Sequence, residues 1–153
     1  MQTGAPSDTV LGVGLEQLAD DVALDFPNGL PGFPHVHKFV VRPLAADMEP
    51  FCRIESADST DMGFVVVPPG ALFPDYTVTI DDEHVEQLQL RSPEDVVVLT
   101  IVTLAPPPLS PTVNLLGPLV VNRRTWVAAQ VVQHGSDYGV AVPLAPSPSS
   151  AGA

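Results

Sequence analysis

Apolar residues along this chain fall into short runs separated by turn chemistry. The runs are 22–26, Lys38–Leu44, Phe51–Ser56, Gly63–Val67, Tyr76–Ile80, Val96–Leu104, Thr112–Leu115, Leu119–Val121, Trp126–Val132 and Gly139–Val142. Their length and their Val, Ile and Thr content suit strands, because branched side chains pack well on a pleated surface. One stretch departs from this pattern. Asp81-Asp82-Glu83-His84-Val85-Glu86-Gln87-Leu88 carries its acids first and spaces Val85 and Leu88 three apart, which predicts a short helix. A second short helix is predicted around Leu15–Leu18. The pattern as a whole predicts an all-β, mainly antiparallel fold: a compact β-barrel-like single domain with one or two short helices.

Turn chemistry divides the chain further. Residues 1–20 mix Gly, Ser, Asp and Pro with weak periodicity and read as a flexible N-terminal lead-in, while 145–153 is a low-complexity Pro/Ser/Ala tail predicted to be disordered. The barrel domain is expected between them, over 21–144. Its most tightly specified loop is FPNGLPGF at 26–33, directly after the first run. Asn28-Gly29 favours positive φ, Pro31-Gly32 invites a second turn, and Phe26 and Phe33 anchor the reversal at both ends.

Composition narrows the function. Eighteen acidic residues face six basic ones, for a net charge of −12. Such a chain is unsuited to direct nucleic-acid binding, which needs Lys and Arg against phosphates, but it attracts a basic partner over distance. Acidity that only keeps the chain soluble is the bland alternative. Cys52 is the single cysteine, so no disulfide framework or cysteine-based zinc site is available, and it reads as a core thiol. The start of the chain lacks the basic leader and long apolar stretch of a signal peptide, and no run reaches the length of a membrane span. A cytoplasmic protein is the expectation.

Candidate chemistry is sparse. His35-Val36-His37, preceded by Gly29, fits the opening of the cupin metal pattern, but Arg42 stands where that pattern needs a glutamate and the third histidine is missing. Two histidines beside a cation make a poor zinc site, so no metal and no cofactor are expected. There is no GxSxG elbow, and Ser56, Ser59, Ser92 and Ser110 sit in strand-end or loop contexts without a base. Asp81, Asp82 and Glu83 are adjacent, so they fan outward and do not flank a bond. Two further segments are specified without being catalytic. PPGALFPDYTVTI at 68–80 bends at its prolines and ends in Asp75-Tyr76, with the Tyr76 hydroxyl expected to point outward. TVNLLGPLVVN at 112–122 sets Asn114 and Asn122 around a break at Gly117-Pro118, and both asparagines are expected to tie loops through backbone hydrogen bonds.

Taken in order, these segments resemble the flagellar assembly factor FliW family. The resemblance rests on the GLPGF turn at Gly29–Phe33, the bend ending in Asp75-Tyr76, Asn114-Leu115 with Pro118 and Asn122, and the strand Gln130-Val131-Val132. It covers about 22–143, with departures at Pro68-Pro69, Ile54-Glu55-Ser56 and Gly117. The resemblance implies a non-enzymatic regulator that sequesters the RNA-binding translational repressor CsrA and also binds flagellin, so controlling flagellin translation. On that reading the partner contacts are expected at Pro74, Asp75, Tyr76, Asp81, Asp82, Glu83, Asn114 and Asn122. Asn28, Gly29, Pro31, Gly32, Phe33, Pro118 and Gln130 are expected to hold the architecture. A monomer is expected in the absence of partners. The rivals are a degenerate cupin-like enzyme using His35 and His37, and a small-ligand-binding barrel with no regulatory partner.

Overall fold

A computed structural model of the protein describes residues 9–12, 21–30, 33–44, 50–58, 62–104 and 110–143, with only the backbone at 9–12. Among the described residues, eleven strands and one α-helix alternate with proline-rich turns. The strands are β1 (Thr9–Gly12), β2 (Ala23–Asp25), β3 (Lys38–Pro43), β4 (Cys52–Ser56), β5 (Gly63–Val67), β6 (Thr77–Ile80), β7 (Val96–Thr103), β8 (Thr112–Val113), β9 (Leu119–Asn122), β10 (Ala128–Gln130) and β11 (Val142–Pro143). The helix α1 (Asp82–Gln87) follows β6 directly, with Asp81 as its N-cap.

Every ladder between these strands is antiparallel. The main sheet runs β10-β9-β7-β5-β4-β3-β2, with β8 on β7 and β11 on β8. It curls until its ends meet. Asp25 of β2 forms a parallel bridge with Val127, just before β10, and the Asp25 amide donates to the Trp126 carbonyl at 2.8 Å. One bridge closes the barrel. Inside lie Leu24, Phe26, Leu30, Phe39, Val41, Ile54, Val66, Leu99, Leu119 and Val121. Phe39 sits at the centre of their aromatic contacts, edge-on to Phe26 at 5.4 Å and tilted against Phe64 at 6.0 Å.

A second core lies outside the barrel wall. Alternation along β7 and β9 sends Val97, Leu99, Leu119 and Val121 inward, and Val98, Val102 and Val120 outward. The outward set is covered by Val78 and Ile80 of β6, Leu88 at the end of α1, Tyr76, Leu115 and Val131. Consequently β9 is buried along its whole length. The break at Gly117-Pro118 lies on one continuous edge. β8 and β9 pair successively with β7, and residues 114–118 stand against only Thr100 and Ile101. The excess chain loops out there and is tied by Leu115 and Leu116 amides to the Gly139 carbonyl at 2.9 and 3.1 Å.

Several sequence expectations change. The stretch read as a flexible lead-in contains β1, which pairs with β6 from Thr9↔Ile80 to Gly12↔Thr77. Thr-Val-Leu-Gly is too short to show alternation, and its partner lies far along the chain. The expected strand Trp126–Val132 shortens to Ala128–Gln130, since Trp126 turns the chain at a φ of 64°. Gly139–Val142 contracts to Val142–Pro143. Short 3-10 turns at Pro69–Ala71 and Pro93–Asp95 add to the helix expected at 81–88. The helix expected around Leu15–Leu18, the tail at 145–153, and Pro31, Gly32 and Ser59 lie outside the described residues.

Phe39→Ala is expected to lower the unfolding free energy by about 3–5 kcal/mol, because it empties the middle of the inner core. The shift in the urea midpoint at unchanged slope measures it.

Candidate functional site

Six of the eight residues singled out for partner contacts flank one strand. β6 runs from Thr77 to Ile80, so Pro74, Asp75 and Tyr76 stand before it and Asp81, Asp82 and Glu83 follow it. Pro74, Asp75, Asp82 and Glu83 are exposed. Tyr76 is not: it is 3% exposed and its hydroxyl donates to the Leu115 carbonyl at 2.6 Å. The outward hydroxyl expected from sequence is therefore corrected. A tyrosine at a strand end finds a carbonyl 39 residues away, and its ring packs on Tyr138 at 4.5 Å. Burial, with the Tyr138 ring hydroxyl as a lesser cause, pushes the Tyr76 pKa well above the ordinary tyrosine value. Around it a groove of about 330 Å³ is lined by Leu72, Phe73, Pro74, Leu115 and Tyr138.

Asn114 and Asn122 serve loops at opposite ends of the β8–β9 edge. Asn114 Oδ1 accepts from the Gly117 amide at 2.9 Å, while Gln130 Nε2 donates to the Gly117 carbonyl at 2.8 Å. A Cβ at Gly117 would stand 2.5 Å from Gln130 Nε2, so a side chain there would require the Gln130 amide to shift. Asn122 is fully enclosed. Its amide donates to the Leu88 carbonyl at 2.7 Å and the Gln89 carbonyl at 3.2 Å, and its oxygen accepts from the Arg124 amide at 2.8 Å. Those bonds leave the Asn122 side chain tying the end of α1 to the β9–β10 turn, where a partner would not reach it.

Four polar residues that sequence reading passed over complete the framework. Asp95 accepts the Arg91 amide at 3.0 Å, the Ser92 amide at 3.3 Å and Arg124 Nε at 3.1 Å. Arg124 in turn donates to the Gln89 carbonyl at 2.7 Å. The backbone hydrogen bond from Arg91, then the Arg124 guanidinium, holds the Asp95 carboxyl below the usual range. Gln133 grips β6 with both ends of its amide: its oxygen accepts the Thr79 N–H at 2.7 Å and its nitrogen donates to the Thr79 carbonyl at 3.1 Å. Tyr138 Oη accepts the Thr77 N–H at 3.2 Å. No local pattern announces these roles, because each depends on a carbonyl or amide brought in from a distant segment.

Asp81 caps α1. It accepts both the His84 amide and His84 Nδ1 at 2.8 Å, and the amide bond chiefly lowers its pKa. Across a groove that His84 also lines, Gly29 takes a φ of 67°, and a Cβ there would lie 2.6 Å from the Phe33 carbonyl oxygen. Glycine is thus required by both conformation and space. Phe33 is 42% exposed and stacks edge-on to Phe64 at 5.9 Å, and Asn28 is exposed beside it. A groove of about 340 Å³ opens between this turn and β10, lined by Asn28, Leu30, Pro34, Ala128 and Val132.

The histidines of the cupin-like opening do not converge on a pocket. His35 and His37 are exposed, and His37 Nε2 is 3.0 Å from the Pro34 carbonyl. Arg42 is engaged by Asp21 and by Glu55, the latter at 3.3 Å. Ser56 is buried with its Oγ accepting the Asp58 amide at 3.1 Å. Among the described residues, no three histidines, cysteines or carboxylates stand close enough together to hold a metal ion.

These features define a small, mainly antiparallel β-barrel whose polar constellations serve its own loops, with acids displayed at the ends of a covering strand. The "FliW protein" family model matches residues 12–144. The chain is 41% identical to the flagellar assembly factor FliW of Bacillus licheniformis over 131 residues, covering 86% of this chain and 91% of that protein. Identity to the flagellar assembly factor FliW of Bacillus subtilis is 37% over the same shares, and to that of Clostridium novyi 31%. A crystal structure of the flagellar assembly factor FliW superposes with a TM-score of 0.75 at 31% identity, covering 86% of this chain and 91% of that one. This chain belongs to the FliW family.

Two outcomes test the framework. Asn122→Asp is expected to destabilise the fold by about 2–4 kcal/mol at pH 7 in urea unfolding, because a carboxylate then faces two carbonyls it cannot donate to. Part of that loss returns near pH 4, about the ordinary aspartate pKa, where the carboxyl is protonated and donates again. The depressed pKa values of Asp81 and Asp95 act with the opposite dependence on acid. Their stabilisation is complete above the unfolded aspartate value of about 4 and is lost as pH falls through the lower folded values. Asp95→Asn is expected to flatten that acid limb of the stability curve.

Proposed function

We propose that this protein is a non-enzymatic cytoplasmic regulator of flagellar assembly that binds two proteins, the translational repressor CsrA and flagellin. In this reading the free protein is a monomer that holds CsrA away from flagellin mRNA. Flagellin accumulating in the cytoplasm captures the regulator and so restores repression. Membership of the FliW family over 12–144 is the observation that carries it. Charge supports the same reading. With eighteen acids to six cations, the chain attracts a basic RNA-binding partner over distance. The exposed acids Asp75, Asp82 and Glu83, with Pro74, form the contact region of this proposal. Tyr76, Asp81, Asn114 and Asn122 act beneath it by fixing the loops that carry those residues.

The decisive measurement is calorimetric titration of the full chain with CsrA and with flagellin from the same source. Binding of each at micromolar affinity or tighter is expected, with the CsrA affinity falling at least about tenfold between 0.05 and 0.5 M salt as charge screening grows. Absence of binding to both proteins in moderate salt overturns the reading.

A further inference from the structure

The groove beside Tyr76 combines aromatic rings, aliphatic side chains and a single carboxylate. Its near wall is the bend before β6. The Tyr76 amide donates to the Phe73 carbonyl at 3.0 Å, closing a turn with Pro74 and Asp75 at its centre. The Leu72 and Phe73 amides both donate to the Pro69 carbonyl, at 3.0 and 2.8 Å. Leu115 and Tyr138 complete the lining. The Tyr138 ring packs on that of Tyr76 at 4.5 Å, and both tyrosine hydroxyls are bonded within the chain, to the Leu115 carbonyl and the Thr77 amide. The groove is thus shaped by its own hydrogen bonds and needs no ligand to form.

Charge decides what fits there. Asp75 is the one charged residue of the lining; it is exposed, and among the described residues it makes no hydrogen bond or ion pair. An apolar side chain filling the groove would strip water from that carboxylate and offer nothing in return. An acid would be repelled. A guanidinium answers both parts of the lining, since its flat face stacks on aromatic rings while its N–H edge bonds a carboxylate. Lysine is a poorer match, because its ammonium is more strongly hydrated and has no face to stack. Phe73 and Tyr138 are only half-buried, so part of each ring is left to receive such a group. At about 330 Å³ the groove lies at the small end of ligand sites, which run to ~1,000 Å³, and suits one long side chain. We propose that this groove is an arginine-binding subsite, in which Phe73 and Tyr138 receive the guanidinium of one arginine on a protein partner and Asp75 is its counter-ion. The inference rests on the protein-binding reading above and gives its contact region one anchoring side chain.

Two small probes test the subsite on the isotope-labelled full chain by nuclear magnetic resonance: the peptide acetyl-Gly-Arg-Gly-amide, and the same peptide with citrulline, which keeps the shape of arginine and removes its charge. The arginine peptide is expected to move the Phe73, Asp75 and Tyr138 amide signals and to bind at least about tenfold tighter than the citrulline peptide. That preference shrinks at about 0.5 M salt, where charges are screened beyond a few ångströms. Asp75→Asn, a change at an exposed position, is expected to leave the urea midpoint in place and to bring the two peptides within about twofold of each other. Equal binding of the two peptides by the unmodified chain, binding of neither, signals moving only elsewhere, or a preference that survives Asp75→Asn overturns the proposal. Should Asp75→Asn fail to fold, the comparison of the two peptides on the unmodified chain decides. The regulatory reading is tested with CsrA and flagellin and this subsite with the peptides, so either can fail while the other stands.

Discussion

The strand edge formed by residues 112–122 along β7 must be buried on both faces, and most of the molecule answers to that constraint. Leu119 and Val121 fill the barrel while Val120 fills the outer core, so neither face of β9 can meet water. Each fully buried Val or Leu contributes about 1.5–3 kcal/mol only if its cover stays in place. The cover consists of one four-residue strand and one short helix, with little ladder of its own. It has to be fastened by polar side chains. Asn122 fastens the end of α1, Gln133 and Tyr138 fasten β6, and Tyr76 fastens the bend before β6 to Leu115. A buried amide that found no partner would cost more than it stabilises, and here each of these groups is satisfied.

That division explains what could be read from the chain. The barrel strands announce themselves because Val- and Ile-rich runs end at prolines, glycines and acids, and Gly63–Val67 and Lys38–Pro43 emerge nearly at their expected limits. The helix at Asp82–Gln87 was legible from its leading acids, with Asp81 performing the capping that such a start requires. The asparagines were legible as loop ties because amides in apolar surroundings must bond to backbone. Their partners were not. Nothing near Asn122 in sequence names Leu88, and nothing near Tyr76 names Leu115, since those pairings exist only once the outer cover is docked. β1 escaped notice for a related reason: its four residues have no pattern until β6 supplies the other half of the ladder.

The fastening system also decides which residues remain for a partner. At least four of the six cations are paired inside the chain, Lys38 with Asp25, Arg42 with Asp21 and Glu55, Arg53 with Glu55, and Arg124 with Asp95. Internal pairing therefore uses up the positive charge and leaves a large excess of acid. The residues with the most specific hydrogen bonds, Tyr76 and Asn122, are those least able to touch anything else. Recognition falls to the plainer positions beside them.

Gln133 is the detail that lets one strand serve both ends. A neighbouring strand on the inner edge of β6 would have joined it into a continuous sheet, and loosening either side would then have loosened both. A side-chain amide copies the two hydrogen bonds of an antiparallel pair at Thr79 and stops there. With Val78 and Ile80 anchored below, the hold on β6 does not depend on what pairs with its outer edge. The outer core is therefore sealed on the inner side of β6 by side-chain hydrogen bonds and buried apolar anchors, without a neighbouring strand there.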